Sequence, residues 1–160
     1  MFDVLKYKIV DVFIEVPRGS FLKRGWSGKV DFVSPFPCPF NYGSITEYIG
    51  GEGDFLDAVV LGARLPRGKI VSVAAQGAIG LTDRGMYDDK IICYHKPIHN
   101  WHKRLIVLFF HFYGICKKLL NLYRGEPGPT YCNGWGNVTD AINRAQSLDD
   151  SGAYSPKVGF

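Results

Sequence analysis

The sequence lacks a continuous apolar run long enough to cross a bilayer. The longest one covers residues 105–113 and contains His111, whereas a spanning helix needs about 20 predominantly apolar residues. The N-terminal residues Met1-Phe2-Asp3 also lack the basic and apolar segments of a secretory signal. We therefore expect a soluble cytoplasmic protein with no membrane span.

Cysteine is scarce, and the basic residues are not concentrated in one place. The four cysteines, Cys38, Cys93, Cys116 and Cys132, form no CxxC pair, which disfavours a zinc site and a disulfide framework. The net charge is +4, but Lys and Arg are scattered along the chain rather than grouped in a stripe. We therefore expect no nucleic-acid partner, while a small anionic substrate remains compatible.

The length and the strand patterns indicate one mainly β domain. A chain of 160 residues, 46% of them hydrophobic, is long enough to bury one core. Short β-rich segments separated by turn residues predict a small β-barrel, with strands at 8–16, 21–24, 30–33, 58–61, 69–75, 78–81 and 91–94. Residues 34–43, which contain several prolines, predict a rigid loop that presents Asn41 and Tyr42, although a buried tyrosine is equally compatible.

The pattern changes from strands to helices after Pro97. Apolar residues at helical spacing predict one long helix over residues 101–124, kinked at Gly114. A second helix is predicted over 138–146 with Asn137 or Thr139 as its N-cap. The basic residues of the long helix are compatible with a solvated face or with a helix that lies on a membrane surface. The polar residues 147–160 are expected to form a mobile tail on this single domain of residues 1–160.

An acidic segment, Glu52-Gly53-Asp54-Phe55-Leu56-Asp57, directly precedes an apolar strand. Three crowded carboxylates repel one another unless a cation lies among them, and oxygen ligands suit magnesium, calcium or manganese. A solvated polar loop is the alternative for this segment alone. A second acidic group, Asp83 with Asp88-Asp89-Lys90, precedes the next strand.

Several segments together resemble the family I soluble inorganic pyrophosphatases. The matching residues are Glu15-Val16-Pro17-Arg18-Gly19-Ser20, Lys23, Pro39-Phe40-Asn41-Tyr42-Gly43, both acidic groups, Phe109-Phe110, Tyr113 and Gly134-Trp135. The resemblance implies an α+β, mainly β fold: a small closed barrel like the oligonucleotide-binding fold, flanked by two C-terminal helices. It also implies a homo-oligomer that hydrolyses pyrophosphate, or another phosphoanhydride, with Mg²⁺ as the metal and Mn²⁺ as a substitute.

The resemblance assigns a role to individual residues of this sequence. Asp54 corresponds to the general base. The metal ligands would be Glu52, Asp57, Asp83, Asp88 and Glu15. The groups that contact phosphate would be Lys23, Tyr42, Lys90 and Tyr113.

Three positions depart from the family pattern. Gly25 replaces an outer carboxylate, Phe32 lies near the position of a phosphate-binding arginine, and Gly114 replaces a lysine. Because these losses fall mainly on groups that hold phosphate, they indicate a slow pyrophosphatase or one of altered specificity. A hydrolase of an organic diphosphate and a non-catalytic relative that binds metal or phosphate remain alternatives.

Overall fold

The computed structural model describes residues 3–24, 29–34, 36–51 and 53–147. The helices are α1 (Asn100–Tyr123) and α2 (Val138–Arg144). The strands are β1 (Lys8–Val16), β2 (Leu22–Arg24), β3 (Val30–Val33), β4 (Asn41–Ile49), β5 (Phe55–Val60), β6 (Ile70–Asp83), β7 (Met86–Tyr87), β8 (Lys90–Cys93), β9 (Tyr131–Gly136) and β10 (Gln146–Ser147). Gly25, Glu52 and residues 148–160 of the predicted tail lie outside the described residues, whereas Ser147 belongs to β10.

Five strands close into a barrel in the order β1, β4, β5, β8 and β6. The circle is completed because β1 pairs with both β4 and β6. The neighbours β5 and β8 run parallel, whereas the other barrel pairs are antiparallel. Strands β2 and β3 form a separate hairpin. The predicted barrel of mainly β character, with two C-terminal helices, is confirmed.

Apolar side chains of the central strands fill two cores, one on each face of the sheet. Ala58 of β5 and Ile91 of β8 point into the barrel, while their neighbours Val59 and Ile92 pack beneath α1. Successive residues of a strand point to opposite faces, so a strand covered on both sides is apolar at every position. This explains the short continuous apolar runs of the sequence.

Helix α1 passes through Gly114 without interruption, and it matches the predicted helix to within one residue at each end. Gly114 is buried, and a Cβ built on it would lie 3.5 Å from the backbone nitrogen of Cys132 in β9. That distance is an ordinary van der Waals contact. The glycine therefore costs helix propensity without being required by close packing.

We expect the Gly114→Ala substitution to raise the free energy of unfolding by about 0.5–1 kcal/mol, because alanine restricts the unfolded chain and favours the helix. Urea denaturation of both proteins measures this difference. A loss of stability would show that the backbone of β9 leaves less room for a methyl group than the geometry indicates.

Several predicted boundaries in the β region were wrong. Asn41 and Tyr42 begin β4 rather than ending a loop, and β5 begins at Phe55, so Asp57 lies inside a strand. Strand β9 occupies part of a predicted loop, residues 125–136. The two strands predicted over 69–81 are one strand, β6, with an irregularity between Ala75 and Gly77. Pairing with neighbouring strands overrides the low β-propensity of the glycines in β4, β6 and β9.

Gly43 shows why β4 was difficult to recognise. A Cβ at this position would lie 2.0 Å from the carbonyl oxygen of Phe13, so β1 and β4 approach closely only because this residue is glycine.

Helix α2 begins after an N-cap. The Asn137 side chain accepts a hydrogen bond from the Asp140 backbone N–H at 2.7 Å. This confirms Asn137 as the N-cap of α2, which ends at Arg144 rather than at residue 146.

Candidate active site

Three of the predicted acidic residues, Asp57, Asp83 and Asp88, meet at one end of the barrel because of how three strands are paired. Asp57 of β5 and Lys90 of β8 are register partners in the parallel pair. Asp83 is the last residue of β6, and Asp88 precedes β8 after the short strand β7. The start of β5, the end of β6 and the start of β8 thus bring together carboxylates that are far apart in sequence.

Lys90 lies between two of these carboxylates. Its Nζ donates to Oδ2 of Asp57 at 2.5 Å and to Oδ1 of Asp88, and the side chain is 1% exposed. Burial lowers the pKa of Lys90, but Asp57 and Asp88 outweigh that effect and raise it well above its ordinary value. A buried ammonium group therefore joins the two carboxylates.

Lys117 reaches the same group of carboxylates from helix α1. Its Nζ lies 2.8 Å from Oδ2 of Asp83 and 2.7 Å from Oδ2 of Asp88. Burial raises the pKa of Asp88, but Lys90 and Lys117 lower it more strongly, to about 2. Asp88 is consequently ionised at neutral pH, with one ammonium group on each of its oxygens.

Neutral side chains hold Asp83 in place. Asn121 of α1 donates to Oδ1 of Asp83 at 2.7 Å, and Thr130 donates to the same oxygen at 3.3 Å. Both residues are buried. Asp57, Lys90, Asp88, Lys117 and Asp83 form a continuous chain of alternating charge, which we call the carboxylate–lysine cluster.

Tyr42 joins this cluster at Asp57. Its hydroxyl donates to Oδ2 of Asp57 at 2.6 Å, and burial together with Asp57 raises the pKa of Tyr42 well above its ordinary value. Lys23 Nζ lies 5.4 Å from the centroid of the Tyr42 ring. Interaction with Tyr113 raises the pKa of Lys23 more than burial lowers it, and Asp57 adds to the rise. Four predicted phosphate-contacting groups therefore lie at or beside the cluster: Lys23, Tyr42, Lys90 and Tyr113.

Two other predicted carboxylates, Asp54 and Glu15, lie before β5 and on β1. Asp54 is exposed in the turn before β5. Glu15 is buried in β1 and accepts a hydrogen bond of 2.5 Å from the Ser44 hydroxyl. Glu52 is outside the described residues. Asp89, which the sequence places beside Asp88, instead faces Arg144 of α2, with 2.9 Å between Oδ2 and Nε.

Among the residues that the structure describes, no three His, Cys, Asp or Glu side chains are placed together as ligands of one metal ion. Instead, lysine ammonium groups lie between pairs of carboxylates. Nevertheless, the donor set of Asp57, Asp83 and Asp88 consists of carboxylate oxygens that face shared cationic positions. That chemistry fits a hard divalent cation such as Mg²⁺.

Lys117 was not predicted to be a site residue. It belongs to the basic residues of the long helix, which were predicted to form a solvated face or to lie on a membrane surface. The available signal was its position four residues after Tyr113, because residues four apart share one face of a helix. The role of Asn121, a further four residues along that face, was missed for the same reason.

Comparisons with known proteins give matches that agree with one another. A family profile described as inorganic pyrophosphatase matches residues 12–109. The chain is 31% identical to the inorganic pyrophosphatase of Haemophilus influenzae, with 83% of each chain covered. It is also 31% identical to the enzyme of that name from Sulfolobus acidocaldarius, over 86% of this chain and 88% of the relative.

Solved structures show the same similarity in three dimensions. The inorganic pyrophosphatase of Neisseria gonorrhoeae superimposes with a TM-score of 0.66 at 25% identity, covering 89% of this chain and 93% of the other. That of Thermus thermophilus also gives 0.66, at 27% identity, with 84% and 86% covered.

Proposed function

Because the chain belongs to the inorganic pyrophosphatase family, we propose that it hydrolyses pyrophosphate to two phosphates with the help of Mg²⁺, for which Mn²⁺ can substitute. The observation that carries this proposal is the carboxylate–lysine cluster, since its acidic and basic side chains are the types needed to bind a metal complex of a phosphate. These groups converge at one end of the barrel, beside Tyr42 and Lys23.

Asp57, Asp83 and Asp88 are the proposed metal ligands, with Glu52 and Glu15 as further acidic groups. A divalent cation bound there would neutralise phosphate charge and make a bound water more acidic. The ammonium groups of Lys90 and Lys117 occupy positions that such a cation would share. An ammonium group of Lys90 or Lys117 that is released from these carboxylates would be available to a phosphate oxygen of the substrate.

The remaining residues have separate proposed roles around the substrate. Asp54 is the proposed general base, because its exposed carboxylate precedes β5, three residues before Asp57. Lys23 and Lys90 would stabilise charge that develops on the leaving phosphate. The hydroxyl groups of Tyr42 and Tyr113 would hold the phosphate oxygens by hydrogen bonds.

Lys117 is the proposed replacement for the lysine that the family has at position 114. Residues 114 and 117 are one turn apart on the same face of α1, and Lys117 Nζ lies at the acidic cluster. At Gly25 and Phe32 the sequence lacks the outer carboxylate and the arginine of the family pattern. We therefore propose a pyrophosphatase with reduced activity or altered specificity.

Two expectations from the sequence remain proposals. The protein is proposed to act in the cytoplasm, and as a homo-oligomer. Size-exclusion chromatography with light scattering measures the second directly, because a monomer of this chain has a mass of 17.9 kDa.

Phosphate release from a panel of substrates tests the proposed function. With Mg²⁺ present, we expect pyrophosphate to be hydrolysed faster than nucleoside or prenyl diphosphates, and Asp54→Ala to lower that rate at least about 100-fold. The control is Glu47→Ala, which removes another exposed carboxylate, on β4. Release only from the organic diphosphates would support the alternative substrate class, and no release from any of them would support a non-catalytic relative.

A further inference from the structure

Helix α1 presents a row of exposed apolar side chains along its full length. The row consists of Trp101, Leu105, Leu108, Phe112, Ile115, Leu119 and Leu122, each more than half exposed. Their spacing alternates between four and three residues, which places them on one face of the helix. At one point the row is widened by Phe36, whose ring lies 6.1 Å from that of Phe112. We call this surface the apolar face of α1.

The opposite side of α1 is already occupied by the domain. Ile106, Phe110 and Gly114 are buried against the barrel and β9, and Lys117 binds the carboxylates of the candidate active site. Within the described residues α1 is the one helix long and apolar enough to cross a membrane, by length and composition alone. Because its inner side is packed on the barrel, the docked helix can lie along an apolar layer but not traverse it.

The charged residues of α1 all have one sign. Residues 90–125 contain no Asp or Glu. Arg104, His111 and Lys118 are exposed and seven residues apart, so they form a line along one edge of the apolar face. An occupant of this face that carries negative charge would complement this edge.

The α1 helix of a second copy supplies no such negative charge. In an antiparallel pair of α1 helices the basic edges would face each other, and in a parallel pair the basic edge would face Phe109 and Cys116. Helix α1 contains no carboxylate to pair with Arg104 or Lys118 in either arrangement. An acidic lipid surface provides both an apolar layer and negative charge. Trp101 and Tyr123, at the two ends of α1, are residue types enriched at the boundary between lipid and water.

We propose that α1 lies in the headgroup layer of an anionic lipid membrane, with its apolar face inserted and Arg104 and Lys118 on lipid phosphates. A helix of 24 residues is about 36 Å long, and apolar faces of this kind bind membranes by insertion combined with electrostatic attraction. The carboxylate–lysine cluster lies on the barrel side of the same helix. The bound protein would therefore keep its candidate active site off the lipid. This proposal does not depend on which phosphoanhydride the site accepts.

Vesicle co-sedimentation of the full chain tests the proposal. The probes are vesicles of phosphatidylcholine alone and vesicles in which about a third of the lipid is phosphatidylglycerol. We expect at least tenfold stronger binding to the anionic vesicles, and weaker binding at high salt, where electrostatic attraction is screened. The Leu108→Gln/Phe112→Gln/Ile115→Gln variant should lose most of the binding.

A charge-matched pair of variants distinguishes the contribution of the basic edge of α1 to vesicle binding from the contribution of the overall charge. Arg104→Gln/Lys118→Gln should bind anionic vesicles about tenfold more weakly, whereas Arg67→Gln/Lys69→Gln removes the same charge from an exposed turn outside α1 and should bind like the wild type. Circular dichroism and phosphate release in lipid-free buffer show whether each variant is folded.

Three results would overturn the proposal. They are equal binding to neutral and anionic vesicles, wild-type binding by the folded triple variant, and no vesicle binding by the wild type. If the absence of binding is accompanied by an oligomer that the triple variant loses, the occupant of this face is a second copy instead.

Discussion

Replacing Asp57 by asparagine is expected to lower kcat/KM for pyrophosphate at least about 100-fold. The Asp57 carboxylate accepts hydrogen bonds from Tyr42 and Lys90 through the same oxygen, and it is one of the proposed metal ligands. Asparagine keeps the shape of the side chain but loses the negative charge, so it weakens metal binding and releases Lys90 from one partner. Initial rates of phosphate release over a range of Mg²⁺ concentrations measure the effect.

The matched control for this variant is Glu47→Gln, which neutralises an exposed carboxylate on β4. We expect the control to retain wild-type kinetics. Thermal denaturation of both variants distinguishes loss of activity from loss of folding. We expect the Asp57 variant to fold, because Asp88 still forms an ion pair with the buried Lys90. Turnover near the wild-type rate in folded Asp57→Asn would contradict the proposed role of Asp57 as a metal ligand.

Replacing Lys117 by methionine is expected to change metal binding and substrate binding in opposite directions. Lys117 pairs with Asp83 and Asp88 and would compete for them with a divalent cation, so its removal should tighten Mg²⁺ binding. The same lysine is proposed to hold phosphate, so KM for pyrophosphate should rise about tenfold, the effect of losing one charged hydrogen bond. Calorimetric titration of Mg²⁺ measures the first change, and steady-state kinetics measure the second.

A second substitution tests whether Lys117 replaces the family lysine of position 114. In Gly114→Lys/Lys117→Met, the ammonium group is moved one helical turn, and the new Cβ meets only ordinary contacts. We expect this variant to recover most of the lost affinity for pyrophosphate. Lys118→Met is the control, because Lys118 is exposed on another face of α1. Unchanged Mg²⁺ affinity and KM in Lys117→Met would exclude both proposed roles.

Local patterns were sufficient to predict elements whose stability depends on their own side chains. Strand β1 has the predicted bounds, Lys8–Val16, because its β-branched residues and the following proline act within the segment. Helix α1 was predicted from its apolar periodicity in the same way. Strands β4 and β9 were missed because their glycines, among them Gly43, have low β-propensity and are favoured only by a neighbouring strand.

The residue types of the candidate site were recognisable in the sequence, but their arrangement was not. Asp57 and Lys90 meet through parallel pairing of β5 and β8, and no local pattern specifies which distant strands pair. Lys117 illustrates the same limit, because its charge suggested a role on the helix surface. Its partners, Asp83 and Asp88, lie on the barrel, and only docking of α1 brings them to it.

Phosphate release from pyrophosphate by the wild-type protein, measured while Mg²⁺ is titrated from zero, tests the central claim most directly. The account predicts no release with a chelator present, a rise in rate as Mg²⁺ saturates the carboxylates, and two phosphates formed per pyrophosphate consumed. Hydrolysis that is independent of divalent metal, or no hydrolysis at saturating Mg²⁺ by the folded protein, would contradict it.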